Sequence, residues 1–347
     1  MPILSAEKLI IAFHKLSDFI GNPDKDFRRF IDSASNHNAW FKADEVNKAL
    51  SSLHEMLEPA ALQQWFEQIN VTDEPKTIGL ILAGNIPMVG FHDVLCVLAT
   101  GNKAMIKLSS SDNQLLPALL KQLVIFEPLL QERIIYAERL KDFDAIIATG
   151  SNNTSRYFDY YFGKVPNIIR KNRNSIAVLD GTETAEDISL LGNDIFDYYG
   201  MGCRSVSKIY LPEGYDIKNF FEPLEGFQGI INHFKYNNNY DYNKSIYLVN
   251  AEPHFDNGFV LLKPDEGLSS PLAVLYFEYY SSLAELNIKL TALQESIQCI
   301  VTKTALEAST NLVGFGDSQH PKLWDYADNI NTIDFLNRIN AGTVVAG

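Results

Sequence analysis

Three short segments combine residue types that can do chemistry. The first, Ala83-Gly84-Asn85-Ile86-Pro87, follows a short apolar run and offers an asparagine amide, a donor able to stabilise a developing oxyanion. Glycine, asparagine and proline are also turn residues in their own right, so this segment alone reads first as a plain turn. The second is Gly101-Asn102-Lys103-Ala104-Met105-Ile106-Lys107-Leu108-Ser109-Ser110-Ser111. It ends in a lysine and three serines, a cation and hydroxyls suited to a ribose or a phosphate. The bland alternative is a solvated lysine followed by a serine helix cap, and neither a GxGxxG nor a P-loop lysine pattern accompanies it. The third is Tyr199-Gly200-Met201-Gly202-Cys203-Arg204-Ser205-Val206-Ser207. Glycines and an arginine around Cys203, at a helix-to-strand junction, suit an exposed and activated thiol. Cys96, inside Val94-Leu95-Cys96-Val97-Leu98, and Cys299, inside another apolar run, fit the small buried hydrophobe that free cysteine usually is.

These segments need elements to hold them. Apolar residues recur at helical spacing over 4–20, 27–31 and 46–69, so residues 1–70 read as a helical segment packed on the next domain. From Pro75 short apolar strands alternate with helices. Strands are expected over 77–83, 104–108, 133–136, 144–148 and 175–179, with helices over 88–99, from Ser111 or Asp112 to Phe126, and after Gly150-Ser151. That alternation implies a doubly wound parallel sheet whose ligands sit at the carboxyl ends of its strands. A second α/β unit starts near Thr184. It carries a helix over 187–199, strands over 205–211, 245–249, 258–262, 272–276 and 297–302, and a helix over 282–291. The polar stretch 233–244 reads as a surface loop. The expected domains are 1–70, 71–183 (with 325–347 returning to it) and 184–324.

Composition narrows the function. The 347 residues are 46% hydrophobic and 21% charged, which describes a globular chain of roughly two domains. A net charge of −14 repels a phosphate backbone, so nucleic-acid or anionic-membrane binding by bulk charge is excluded. No apolar run reaches the ~20 residues of a membrane span, and residues 4–20 are amphipathic, unlike a signal peptide. Three cysteines without a CxxC argue against a disulfide framework or a zinc site and suit a reducing cytoplasm.

Taken together, the three segments resemble the aldehyde dehydrogenase superfamily in order, spacing and wording. Asn85-Ile86-Pro87 matches its Asn-x-Pro turn, whose asparagine forms the oxyanion hole. Gly101-Asn102 through Lys107 matches its Gly-Asn-x-x-x-x-Lys strand, whose lysine contacts the adenosine ribose, and Thr149-Gly150-Ser151 matches its cofactor-facing Thr-Gly-Ser. Gly200-Met201-Gly202-Cys203 matches its Gly-x-x-Cys nucleophile. Within the superfamily the chain is most similar to the LuxC-like long-chain acyl-CoA reductases. Gly-Cys-Arg-Ser-Val-Ser around Cys203 and the segment Gln319-His320-Pro321-Lys322-Leu323-Trp324-Asp325-Tyr326-Ala327-Asp328 carry this closer resemblance, which spans roughly residues 75–340. It implies an aldehyde-dehydrogenase-like fold of two doubly wound α/β domains, one for the cofactor and one for the nucleophile.

Departures from the family pattern sharpen what is implied. Aldehyde-oxidising members carry a catalytic Glu in Glu-Leu-Gly-Gly-Lys, where this chain has Arg170-Lys171-Asn172-Arg173-Asn174-Ser175 and no carboxylate. That Glu activates the water that hydrolyses a thioacyl-enzyme, and a thioester reductase needs no such water. NAD-selective members often follow the ribose lysine with a Glu, whereas Lys107 is followed by Leu108-Ser109-Ser110, which leaves room for the 2′-phosphate of NADPH. The family's Glu-x-Phe-Gly-Pro, which holds the nicotinamide ribose, corresponds to Glu266-Gly267-Leu268-Ser269-Ser270-Pro271, with the Glu displaced by one position. The chain is shorter than typical members and offers no candidate for their oligomerisation hairpin.

The expected function is thus NADPH-dependent reduction of a fatty acyl-CoA or acyl-protein thioester to the aldehyde through Cys203. A homo-oligomer or a partner acyl-transfer protein is the expected assembly. The alternative is a non-catalytic subunit of an acyl-reductase complex that keeps the fold and binds its partner through the first 70 residues. Displacement of Glu266 favours it; intact Asn85, Lys107 and Cys203 oppose it.

Overall fold

A computed structural model describes residues 4–150, 152–307 and 311–343. The chain forms two compact units, Met1–Asn172 with His320–Gly347, and Arg173–Gln319.

The first unit opens with four helices, α1 (Ala6–Gly21), α2 (Lys25–Ser33), α3 (Ala43–Met56) and α4 (Pro59–Phe66). Ser5 caps α1 by accepting the Lys8 N–H, and Leu9, Phe13, Leu16 and Ile20 make its buried stripe at three- and four-residue spacing. Asp24 caps α2 in the same way through Phe27 N–H. Next come β1 (Thr77–Ile81), α5 (Phe91–Ala99), β2 (Lys103–Lys107), α6 (Leu115–Phe126), β3 (Ile134–Tyr136), β4 (Ala145–Thr149), α7 (Asn152–Phe162) and β5 (Asn167–Arg170). The five strands are parallel in the order β3-β2-β1-β4-β5. The chain winds outward from β1 through β2 to β3, then returns to the other side of β1 with β4. The switch point of the sheet therefore lies between β1 and β4, where ligands bind in folds of this type. Helix α5 is buried on nearly every side, as its apolar sequence demands.

The second unit runs β6 (Asn174–Val178), α8 (Ala185–Phe196), β7 (Val206–Pro212), α9 (Ile217–Phe221), α10 (Phe234–Val249), β8 (Phe255–Asp256), β9 (Leu261–Pro264), β10 (Val274–Tyr280), α11 (Leu283–Leu293), β11 (Ile297–Val301) and β12 (Leu312–Val313). Its sheet has the order β12-β11-β6-β7-β10-β9-β8, parallel except for the edge pair β8–β9. Ile188, Leu191, Ile209, Leu211, Phe259 and Leu262 lie in the core on one face, and Ile176, Val178, Leu286, Leu290 and Ile300 on the other. The last helix, α12 (Thr332–Asn340), belongs to the first unit, where Trp65 Nε1 donates to the Tyr326 hydroxyl at 3.0 Å.

The mixed α/β architecture with parallel sheets is the one the sequence implies, with several local differences. The strand expected over 175–179 is β6, and it pairs with β7 and β11 of the second sheet, not with the first. Strand β5 was not anticipated. The expected loop 233–244 and strand 245–249 are one helix, α10. Its buried face is Tyr236, Tyr240, Asn243 and Tyr247, whose polar ends bond Phe259 O, Asp256 Oδ1 and Leu272 O for the first three. An amphipathic stripe made of tyrosine and asparagine looks polar to a hydropathy reading. Finally, α6 starts at Leu115 with Gln114 at its N-cap, so neither Ser111 nor Asp112 occupies that position. Among the described residues no helix is long and apolar enough to cross a membrane, and no His, Cys, Asp and Glu cluster could hold a metal.

A buried ion pair fastens the first unit. Arg170, at the end of β5, bonds Asp93 on α5 and the Thr332 hydroxyl on α12, so three elements meet at one guanidinium. Arg170→Met should destabilise the first unit by about 3–5 kcal/mol, because Asp93 would be left as an uncompensated buried charge. The double variant Asp93→Leu/Arg170→Met should recover most of that loss in urea unfolding. Equal losses in the single and double variants would show that the pair is not what holds these elements.

Candidate active site

In the first unit the chemistry-bearing residues gather where β1, β2 and β4 end. Leu82 N–H still reaches Lys107 O at 3.3 Å, after which the two chains separate into loops. The loops are pressed together: a Cβ on Gly84 would fall 2.5 Å from Ser109 Oγ and 3.1 Å from Asp112 N, so only glycine fits. Met88 is held in the left-handed region (φ 56°), with its N–H on Asp112 Oδ2 at 2.7 Å. Asn85 is therefore presented, exposed, on a loop gripped at both ends. Burial pushes the Asp112 carboxyl up from its usual value, against the backbone N–H groups of Met88, Leu116 and Leu115.

Lys107 ends β2 exposed, Ser109 is half-buried with its hydroxyl accepting Ser111 N–H at 3.2 Å, and Ser110 is exposed. The two residues that open this motif have structural work instead. Gly101 has φ 78° and a Cβ there would meet Thr72 O at 2.7 Å, while buried Asn102 accepts Lys76 N–H at 2.9 Å. Thr149 ends β4 beside Arg170 of β5. Gly150 lets α7 come close, since its Cβ would lie 2.8 Å from the Phe158 ring. Ser151 lies outside the described residues. The structure thus brings Asn85, Lys107, Ser109, Ser110, Thr149 and Gly150 to one edge of the first sheet.

Cys203 and Glu266 belong to the second unit. A capping box of Thr184 and Asp187 starts α8, and after its end Tyr198, Tyr199 and Gly200 are all left-handed, with φ of 54°, 58° and 75°. Two non-glycine residues in that region cost about 1–3 kcal/mol each and need outside support. Part of it comes from His233, whose ring lies 4.4 Å from that of Tyr199. Cys203 is exposed, whereas Cys96 and Cys299 are buried. Its carbonyl accepts the Ser175 hydroxyl at 2.9 Å, and Ser175 Oγ also lies 3.0 Å from Cys299 Sγ. Burial pushes the Cys299 thiol up to about 11 despite Arg204 and Ser175, and burial with Asp93 nearby raises Cys96 well above its usual value. Burial thus disfavours the thiolate at both buried cysteines.

Glu266 is exposed in the loop after β9. That loop is tied to the start of β7, four residues beyond Cys203, by Ser207 Oγ donating to Leu268 O at 2.7 Å. A small open pocket borders the same region, with Ile195, Phe196, Tyr199, Val206, Tyr236 and Val274 in its wall. Residues 170–175 carry no carboxylate, and Arg170 among them is the partner of Asp93. Sequence reasoning missed Asp112 as a loop clamp, and Ser175, whose contact with the Cys203 backbone depends on β6 joining the second sheet.

Comparison with known proteins decides the family. The sequence profile of the acyl-CoA reductase (LuxC) family matches residues 22–226, more than half of the chain. The chain belongs to the LuxC family. A curated long-chain acyl-protein thioester reductase of Aliivibrio fischeri is 24% identical over an alignment 186 positions long, gaps counted, that covers 48% of this LuxC-family chain and 38% of the relative. The match therefore spans about two fifths of that relative's length. Aldehyde dehydrogenase 21 of Physcomitrella patens, solved with the product succinate, superposes with a TM-score of 0.62 at 14% identity, over 96% of this chain and 84% of that one. Indole-3-acetaldehyde dehydrogenase in complex with NAD+ gives 0.65 at 10% identity, over 96% and 83%. Proline utilization A of Corynebacterium freiburgense gives 0.58 at 12%, over 89% of this chain and 38% of its own. Identities this low establish the fold, which is that of aldehyde dehydrogenases.

One buried acid near Cys203 makes the stability of the second unit depend on pH. Asp194, on α8, accepts the N–H groups of Gly316 at 2.7 Å and Ser318 at 2.9 Å, and burial pushes its carboxyl from 3.8 up to about 6. The folded state binds this proton more tightly than the unfolded chain. Its stabilising contribution is complete below about pH 4 and is lost as pH rises through 6, a difference of about 3 kcal/mol. The stability of wild type relative to Asp194→Asn should therefore fall between pH 4 and 6 and level off above, as read by urea unfolding at each pH. A difference that does not change with pH would contradict this.

Proposed function

We propose that the protein reduces an acyl thioester to the aldehyde, with NADPH as the electron donor and Cys203 as the nucleophile. The observation that carries this is an exposed cysteine on a strained glycine turn, in a chain of the acyl-CoA reductase family. The Cys203 thiolate attacks the thioester carbonyl carbon, the bond to the donor's sulfur breaks, and the donor leaves as a thiol after taking up a proton. An acyl group remains on Cys203, so one difficult step becomes two easier ones. The Asn85 amide and the Cys203 backbone N–H are the donors assigned to the oxyanion.

The residues at the edge of the first sheet suit a dinucleotide: an exposed cation, two serines and a Thr-Gly pair at the carboxyl ends of parallel strands. Lys107, Ser109 and Ser110 would hold the adenosine ribose and its 2′-phosphate, Thr149, Gly150 and Ser151 the cofactor beyond it, and Glu266 the nicotinamide ribose. When bound, the cofactor supplies the hydride that turns the thioacyl group into aldehyde and frees the thiol. In this reading the first unit holds the cofactor, with residues 1–70 packed within it, and the second unit carries the nucleophile; their boundaries fall at Asn172 and Gln319 and not at the expected 183 and 324. The named activity of the Aliivibrio fischeri relative makes a long-chain acyl-protein donor as reasonable as acyl-CoA. Three cysteines outside any disulfide suit the cytoplasm.

Without a carboxylate in residues 170–175, the acylated enzyme should hydrolyse slowly. Label from a radiolabelled long-chain acyl-CoA should stay on the protein until NADPH is added, and then leave as aldehyde. Cys203→Ala should abolish labelling, Cys96→Ala and Cys299→Ala should keep it, and Asn85→Ala should slow it by ~10²-fold. Rapid release of free fatty acid without NADPH would sink the reading.

Cofactor choice is checked separately. NADPH should bind more tightly than NADH in a calorimetric titration, and Ser110→Glu should narrow or invert the preference by setting a carboxylate against the 2′-phosphate. Equal affinities in the wild type would remove the basis for NADPH.

A further inference from the structure

Cys203 is exposed, so packing contributes little to the direction of its thiol, and the turn that carries it must do so. That turn, Gly202-Cys203-Arg204-Ser205, is closed twice. Ser205 N–H donates to Gly202 O at 3.1 Å, and Gly202 N–H donates to Ser205 Oγ at 3.1 Å. Buried Ser205 accepts a second bond, from Gln319 Nε2 at 3.2 Å. A hydroxyl has two acceptor positions, and both are filled here, which fixes the rotor as well as the oxygen.

Gln319 is itself held. It follows Ser318, whose N–H, like that of Gly316, ends on the buried Asp194 carboxylate. Gly316 has φ 87°, so the segment reaches Asp194 through a left-handed residue. Asp194 stands near the end of α8, the helix that leads into the Cys203 turn. One helix thereby grips the turn twice, through the chain that continues from it and through the segment after β12.

We propose that Ser205 and Gln319 are positioning residues for the nucleophile. Their hydrogen bond sets the Gly202–Ser205 turn, and with it the direction of the Cys203 thiol and backbone N–H. The proposal rests on the reading of Cys203 as the nucleophile. Each acts through the backbone of Cys203. Misplacement of a reacting group by about 1 Å costs on the order of 10²-fold in rate.

The test pairs Gln319→Met, which keeps size but removes the donor, with Ser205→Ala and the double variant. Each single change should slow acylation of Cys203 by radiolabelled palmitoyl-CoA by about 10- to 100-fold and leave NADPH affinity unchanged. The double variant should be no slower than the slower single, because both remove the same bond. Amide hydrogen exchange at the two N–H groups that close the turn, Gly202 and position 205, should quicken in all three. A wild-type acylation rate in Gln319→Met, or multiplied losses in the double variant, would overturn the proposal. Should Ser205→Ala fail to fold, Gln319→Met decides alone. Persistent turnover by Cys203→Ala would instead defeat the nucleophile reading, and exchange at the turn would still report whether the brace exists.

Discussion

A backbone N–H that leaves a strand ladder and stays buried must find another acceptor. The chemistry-bearing loops of this protein are shaped by that requirement. Met88 N–H ends on Asp112, Gly202 N–H on Ser205, and the Gly316 and Ser318 N–H groups on Asp194. The complementary case, the Cys203 carbonyl, is met by Ser175. Each of these side chains is buried or partly so, and each fixes a loop that carries a residue with chemical potential. The parallel sheets explain why the loops gather: all strand ends of one sense lie on one edge, so the loops that leave them are brought together.

Much of this was readable from residues alone, for a physical reason. Buried parallel strands are short apolar runs, and β1, β2, β4, β7 and β11 all show one. The different fates of the cysteines were legible too, since Cys96 and Cys299 have apolar neighbours and Cys203 has glycines and an arginine. Helix α10 was not legible, because Tyr236, Tyr240 and Asn243 bury their rings and amide while satisfying their polar ends on the backbone or Asp256. Nor was the place of β6, because the order of strands in a sheet is set by pairing partners far along the chain. The braces were least visible of all. Asp112 takes an N–H from 24 residues away and Asp194 one from 122 away, and nothing local marks either acid as an acceptor.

Arg170 shows how one position can bear on two questions. Its segment lacks the carboxylate that aldehyde-oxidising relatives of the fold use to activate water, as the family resemblance implies. The residue there is not idle: its guanidinium joins β5, α5 and α12. A carboxylate substituted at this position would face Asp93 and repel it, so the packing of the first unit depends on a cation here.

The separation between Ser205 and Gln319, 114 residues along the chain, has a consequence for biosynthesis. At a ribosomal pace of about 5–20 residues per second, Gln319 is made on the order of 10 s after Ser205. During that interval the nascent chain already displays Cys203 without the brace that closes over its turn. The thiol is thus made early and set in place late, and a chain interrupted before residue 319 carries the cysteine without its setting.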